Sequence, residues 1–138
     1  MTKKKYDIIS KLDEYQSGFY EWNKPFYLIN KKDKRAKKFK NQKEKHGFSD
    51  DETWSLYTST VLFFLPRIKR FKKIIEDLRM HPASLNEQEW IDILNKIVNS
   101  FELMFKEDIN GKNITKEEQE QINEGLDLFG KYFQDLWW

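Results

Sequence analysis

The sequence predicts an all-α protein: a compact bundle of about four helices, in which a proline-kinked central helix follows a Lys-rich connection. Three observations predict this fold. Three segments open with the same capping pattern, a Ser, Asn or Thr followed three residues later by Glu. After each of them, apolar residues recur in steps of three and four, as on one face of a helix. Only 5 Gly and 3 Pro occur in 138 residues, so residues that favour turns are sparse.

Composition fits one folded domain spanning residues 1–138. Aromatic residues make up 16% of the chain and charged residues 35%, in a length that can bury a core. The lack of cysteine excludes disulfides and thiolate sites. No apolar stretch follows the basic start of the chain, so no secretory signal is predicted. Val61–Leu65, within the longest apolar run, is too short to span a bilayer. We therefore expect a soluble intracellular protein with no membrane partner.

Residues 1–30 are interpreted as an N-terminal aromatic helix that ends before Pro25, because proline restricts the residue before it. Its apolar residues are spaced for one helix face: Ile8, Ile9, Leu12, Tyr15, Phe19 and Trp22. The alternative is a looser aromatic segment, and Phe26–Ile29 fits either a short strand or a helix turn.

Residues 31–46 form a basic connection. Nine Lys or Arg against two acidic residues give residues 31–45 a local net charge of +7, whereas the whole chain carries +2. Ala36 and Phe39 are its only apolar residues, so we interpret it as a solvated helix or a mobile linker. Two alternatives are pairing with an acidic surface and contact with nucleic-acid phosphates. The residues predicted to bind nucleic acid are Lys34, Arg35, Lys37, Lys38 and Lys40.

Residues 47–138 are predicted to be the helical core, and its central helix begins at Ser49. Ser49 and Glu52 match a capping box. Pro66 predicts a kink or restart, because proline removes one hydrogen bond and clashes with the preceding turn. The apolar run Val61–Leu65 predicts the most buried turn of the fold.

Two further helices follow, from about Glu87 to Lys106 and from about Lys116 to Leu136. Their capping boxes are Asn86 with Glu89 and Thr115 with Glu118. The pair Asn110-Gly111 predicts a tight turn with positive φ between them.

Gly125 and Gly130 lie inside the last predicted helix. Glycine costs a helix about 1 kcal/mol relative to alanine. We therefore expect a neighbouring helix to approach closely at both positions.

No catalytic or metal-binding constellation is evident. His46, Asp50, Asp51 and Glu52 fall within seven residues, but their spacing matches no standard metal motif and capping accounts for the acids. His81 precedes proline in a predicted turn, where a solvated histidine is expected. No nucleophile with a neighbouring base is recognisable. We expect a protein that is not an enzyme and that uses no metal or cofactor.

Four residues beside the predicted kink are candidates for ligand binding. Trp54 and Tyr57 lie three apart on one helix face, and Arg67 and Arg70 are similarly spaced. An aromatic face and a guanidinium fork together suit an anionic, ring-bearing ligand such as a nucleotide. The alternative is that Trp54 packs in the core and both arginines are solvated.

The last two residues are both tryptophans. We expect Trp137 to close the core and Trp138 to contact another subunit.

Several motifs resemble those of a widespread group of small, mostly uncharacterised bacteriophage proteins. Residues 47–56 read GFSDDETWSL and residues 64–72 read FLPRIKRFK. Residues 89–97 and 124–137 continue in order with EWIDILNKI and EGLDLFGKYFQDLW. Met80-His81-Pro82 stands where the group commonly has a Gly-Tyr-Pro turn. The resemblance covers residues 47–138 and implies a phage origin and expression in the cytoplasm of an infected bacterium. It implies no reaction.

The function predicted on this basis is that of a non-enzymatic phage accessory protein. It would counter a host defence by binding a host protein or by sequestering a nucleotide signal. One alternative is a nucleic-acid-binding module that uses the Lys-rich segment. Another is a structural or assembly protein, in which the acidic C-terminal helix of one chain meets the basic run of a second.

Overall fold

The computed structural model describes residues 34–53 and 55–138. The predicted N-terminal helix and Trp54 lie outside these residues. Four α-helices are present in the described part, which contains no β-strand: α1 (Ala36–His46), α2 (Leu56–Leu78), α3 (Glu87–Asp108) and α4 (Lys116–Tyr132). Short 3₁₀ turns occupy Asp50–Thr53 and Phe133–Asp135. The predicted all-α fold with about four helices is confirmed.

Contacts within the chain divide it into two compact units, Met1–Thr60 and Val61–Trp138. The grouping of the whole chain into one domain stays a prediction.

Residues 36–46 of the Lys-rich connection form the helix α1. One side of it buries Phe39 and, four residues later, Lys43, so its inward face combines one aromatic ring with the stem of a lysine. Gly47 ends the helix with a φ of 84°, and its N–H donates to the carbonyl oxygen of Lys43 at 2.9 Å. For residues 36–46, of the two structures interpreted for this segment, a helix with mostly exposed side chains is the one observed.

The predicted start of the central helix at Ser49 is wrong, because α2 begins at Leu56. Only half of the Ser49 capping box forms: the Ser49 N–H donates to Glu52 Oε2 at 2.5 Å, while the Glu52 N–H donates to the Ser49 carbonyl oxygen. The Ser49 hydroxyl is instead engaged with carboxylates. Ser55 takes the capping role for α2, since its Oγ accepts the Thr58 N–H at 3.2 Å.

α2 continues through Pro66 without restarting. Val61, Leu62 and Leu65 are almost fully buried, as predicted. Phe63, in the same run, is 40% exposed. The expectation that this turn is buried all round is therefore wrong for the one residue that faces away from the core.

α3 and α4 begin where the sequence predicts. Both capping boxes form completely, with Asn86 accepting the Glu89 N–H at 2.8 Å and Thr115 accepting the Glu118 N–H at 3.1 Å. α3 extends to Asp108, two residues beyond the predicted end. α4 ends at Tyr132, where the chain tightens into a 3₁₀ turn. Gly111 has a φ of 63°, which confirms the predicted turn.

The two glycines of α4 have different surroundings. A Cβ added at Gly125 would overlap the Ser100 side chain and lie 2.6 Å from the Lys96 carbonyl oxygen of α3. Close helix approach is therefore confirmed at Gly125. A Cβ at Gly130 would meet no atom within 4 Å, so the same expectation is wrong there.

Aromatic rings connect α2 with α3 and α4. Phe64 lies 4.6 Å from Phe101 and 5.0 Å from Phe129, between ring centroids, and Phe129 lies 5.3 Å from Phe133. Trp137 is 68% exposed, so the prediction that it closes the core is wrong. In the described part of the chain, no helix is both long and apolar enough to cross a membrane.

Candidate functional site

A buried polar cluster lies in the unit that ends at Thr60. It consists of Lys43, Ser49, Asp51 and Glu52, each almost fully shielded from solvent. Lys43 Nζ lies 2.8 Å from Glu52 Oε1 in an ion pair. Ser59 closes the cluster by donating its hydroxyl to the Glu52 carbonyl oxygen at 2.6 Å. Ion pairs this deeply buried require good geometry to offset the cost of desolvation.

Asp51 is the most unusual member of this cluster. Its side chain is fully buried, Oδ1 is hydrogen-bonded with Ser49 Oγ, and Oδ2 has no hydrogen-bond partner among the described residues. Burial raises the pKa of Asp51 above its ordinary value; the Ser49 hydrogen bond acts in the opposite direction, and the charge of Glu52 adds to the increase.

A count of protons shows which state satisfies these bonds. Ser49 Oγ contacts both Asp51 Oδ1 and, at 3.1 Å, Glu52 Oε2. A hydroxyl has one proton to donate, so it cannot serve two ionised carboxylates. With a proton on Asp51, the Asp51 carboxyl donates to Ser49 and Ser49 donates to Glu52. Because the four side chains are almost fully buried, these hydrogen bonds form inside the protein and are shielded from solvent.

Capping of the central helix, predicted for the acids at residues 50–52, is therefore wrong. They precede α2 by several residues. Asp50 accepts a hydrogen bond from Gln42 Nε2 at 2.9 Å, and its N–H donates to Gln42 Oε1 at 2.9 Å. Asp50 thus ties the 3₁₀ turn to α1.

The second feature is the basic face of α1, defined here as Lys34, Lys37, Lys38 and Lys45. Steps of three, four and seven residues place these lysines on the side of the helix opposite Phe39 and Lys43. With Asn41, Gln42 and His46 they line a shallow depression of about 490 Å³. Within the described residues, none of the four lysines forms an ion pair.

The predicted nucleic-acid-binding residues fall into two groups. Lys34, Lys37 and Lys38 belong to the basic face, whereas Arg35 and Lys40 are exposed on its flanks. Lys45 was missed. Its spacing of seven residues from Lys38 would have identified it.

Only part of the predicted nucleotide site can be followed, because Trp54 is not described. Tyr57 and Arg70 are exposed. The Arg67 guanidinium stacks over the Phe63 ring, 3.8 Å from its centroid, and donates to the Phe63 carbonyl oxygen at 2.8 Å. One terminal nitrogen of the Arg67 guanidinium therefore already donates a hydrogen bond within the protein. A joint site of these four residues stays a prediction.

Neither histidine belongs to a candidate metal site among the residues that the structure describes. His46 lies in the basic depression, and His81 Nδ1 is 3.0 Å from the Pro82 carbonyl oxygen in an exposed turn. Among residues 34–53 and 55–138, no three acidic or histidine side chains are grouped so as to hold a metal ion.

Sequence reasoning missed the buried roles of Lys43 and Asp51. Lys43 is one of nine basic residues in its run, and only the spacing of four from Phe39 marks it as inward-facing. Asp51 has no such signal, because its burial depends on how the 3₁₀ turn packs.

No protein-family model, curated protein or solved structure matches this chain. The resemblance to small phage proteins therefore stays a prediction.

Proposed function

We propose that this protein is a non-enzymatic binding protein that contacts nucleic-acid phosphates through the basic face of α1. One observation carries the proposal: Lys37, Lys38 and Lys45 project from one side of α1, whose opposite side buries Phe39 and Lys43, and exposed Lys34 lies in the turn just before the helix. Exposed lysines without acidic partners gain by neutralising phosphates and releasing the counterions that those phosphates hold.

The dimensions of α1 suit a phosphate backbone. Its 11 residues extend about 16 Å, the axial length of about five phosphates of one strand. Lysine supplies point charges rather than the planar fork that reads a base edge, and none of the described residues that line the basic face is aromatic. The proposed contact is therefore independent of nucleotide sequence.

The experiment measures the fluorescence anisotropy of labelled DNA and RNA, both duplex and single-stranded, over a series of salt concentrations. The test variant is Lys37→Gln/Lys38→Gln. The matched control is Lys112→Gln/Lys116→Gln, which removes the same charge from exposed positions outside α1.

We expect affinity to fall steeply with salt. The Lys37/Lys38 variant should reduce the slope of log K against log salt by about two, roughly one for each lost phosphate contact, while the control leaves it unchanged. If both variants lost the same amount of affinity, binding would depend only on the net charge of the protein and not on α1. Absent or salt-independent binding by the parent protein would refute the proposal.

The wider role, that of a phage accessory protein acting against a host defence, stays a prediction from the resemblance. Calorimetry with cyclic nucleotides and ADP-ribose compounds tests its nucleotide branch. Tyr57→Ala and Arg70→Ala should weaken any such binding, and Lys112→Gln should not.

A further inference from the structure

A small cavity lies between the end of α2, the start of α3 and the turn that follows α4. Its volume is about 50 Å³, and its wall includes Met80, His81, Trp90, Asp135 and Trp137. All five residues belong to the unit Val61–Trp138. Compared with the space that one water molecule needs, the cavity has room for about four non-hydrogen atoms.

Two local backbone features shape the wall of this cavity. α2 ends with Arg79 in the left-handed region at a φ of 53°, and the Met80 N–H donates to the Ile75 carbonyl oxygen at 3.4 Å. This Schellman-type ending turns the chain out of the helix at Met80. After α4, the Trp137 N–H donates to the Asp135 carbonyl oxygen at 3.0 Å, which holds these two residues in one tight turn.

Two indole rings contribute to the wall, one deep and one at the surface. Trp90 is 1% exposed, and its ring packs edge-on against Tyr132 with the centroids 5.6 Å apart. Trp137 is largely exposed. The indole face attracts a cation more strongly than any other aromatic side chain does, and the attraction increases where water is excluded.

The charge of the wall is negative. Among the described residues that line the cavity, Asp135 carries a carboxylate and none is a lysine or arginine. The half-buried Asp135 side chain forms no ion pair or hydrogen bond with a described residue. Arg79, close by in the chain, has its Nε 4.0 Å from Glu87 Oε1, and His81 Nδ1 lies 3.0 Å from the Pro82 carbonyl oxygen. The wall therefore favours a cation over an anion.

We propose that this cavity binds a primary alkylammonium group, carried by a small free amine or by a lysine side chain. Asp135 accepts hydrogen bonds from the ammonium group, and the indoles of Trp90 and Trp137 contact the chain that bears it. Propylammonium has one nitrogen and three carbon atoms, so its size matches the cavity. The site goes beyond the proposed nucleic-acid contact, which uses α1, and neither requires the other.

An NMR titration of the full chain with propylammonium chloride tests the proposal through the indole N–H signal of Trp90. The controls are sodium chloride and 1-propanol, which has as many non-hydrogen atoms as propylammonium but no charge. We expect a saturable shift with propylammonium alone, at millimolar concentrations because so few atoms make contact. An equal shift with 1-propanol, or no saturable shift with propylammonium, would refute the proposal.

Two pairs of variants test the roles of the wall residues. Asp135→Asn should weaken propylammonium binding about three- to tenfold, whereas Asp127→Asn, at an exposed position of α4 outside the cavity wall, should not. Trp137→Leu should weaken it about two- to fivefold. Trp138→Leu is the matched control, because Trp138 is 63% exposed and does not line the cavity. Equal losses within either pair would contradict binding in the cavity.

A third comparison distinguishes the two sources of the ammonium group. Tighter binding of Nα-acetyl-lysine methylamide than of propylammonium would support a lysine side chain of a partner protein as the ligand. Tighter binding of propylammonium would support a free amine. Tetramethylammonium has no N–H to donate and is too broad for the cavity, so a preference for it over both primary amines would overturn the proposal.

Discussion

At Asp51, a carboxyl group is fully buried and one of its oxygens has no hydrogen-bond partner among the described residues. Its neighbour Ser49 contacts two carboxylates with a single hydroxyl proton, which favours the protonated state of Asp51. Because the folded-state pKa of Asp51 is raised, the folded protein holds this proton more tightly than the unfolded chain does.

The stability that this proton contributes is fully present below the unfolded pKa of Asp51, 3.8, and is lost as pH rises through the higher folded value.

Asp51→Asn should remove this pH dependence, because an amide donates to Ser49 at every pH. At neutral pH the Asp51→Asn variant should be at least as stable as the parent protein. Asp51→Ala should lose about 1–3 kcal/mol. Urea unfolding at several pH values, with exposed Asp50→Asn as control, measures these differences. Equal losses in Asp51→Asn and Asp51→Ala would show that the ionised carboxylate is required.

The buried ion pair of Lys43 and Glu52 yields a second prediction at this scale. Lys43→Met should destabilise the fold by about 3–5 kcal/mol, since it leaves Glu52 buried without a counter-charge. Lys43→Met/Glu52→Gln should recover part of that loss. Urea unfolding measures both variants, and Lys45→Met, at an exposed position of the same helix, is the control. A double variant no more stable than Lys43→Met would contradict the prediction.

Among the elements, α3 and α4 depend on local signals. Complete capping boxes and regular apolar spacing fix their first turns, so the sequence predicts both starts correctly. The start of α2 was predicted wrongly because the Ser49 hydroxyl bonds to carboxylates and leaves the capping role to Ser55. Gly125 and Gly130 are equivalent in sequence. They differ only in whether α3 passes nearby, which depends on tertiary packing.

That difference predicts opposite effects for the same substitution. Gly125→Ala should destabilise the protein by about 1–3 kcal/mol, because the new methyl group overlaps Ser100. Gly130→Ala should stabilise it by about 1 kcal/mol, since nothing opposes the gain in helix propensity. Thermal unfolding of the two variants at one low protein concentration makes the comparison. Similar effects of both substitutions would contradict the packing of α3 against α4.

For the whole molecule, the distribution of charge says more than the net charge about where an anionic partner would bind. The chain carries only +2, yet residues 31–45 alone carry +7. The sequence predicted that imbalance and its possible partners. It could not show which lysines face solvent, because that requires the helix to be oriented by Phe39 and Lys43. The basic face is therefore a structural result, whereas a nucleic-acid partner remains our proposal.

Protection of individual lysines from acetylation tests the central claim most directly. The full chain is treated with a limiting acetylating reagent, with and without excess duplex DNA, and each lysine is quantified by mass spectrometry. We predict that DNA protects Lys37, Lys38 and Lys45 several-fold and leaves Lys112 and Lys116 unchanged. Uniform protection at all five lysines, or protection confined to the last two, would contradict a binding surface on α1.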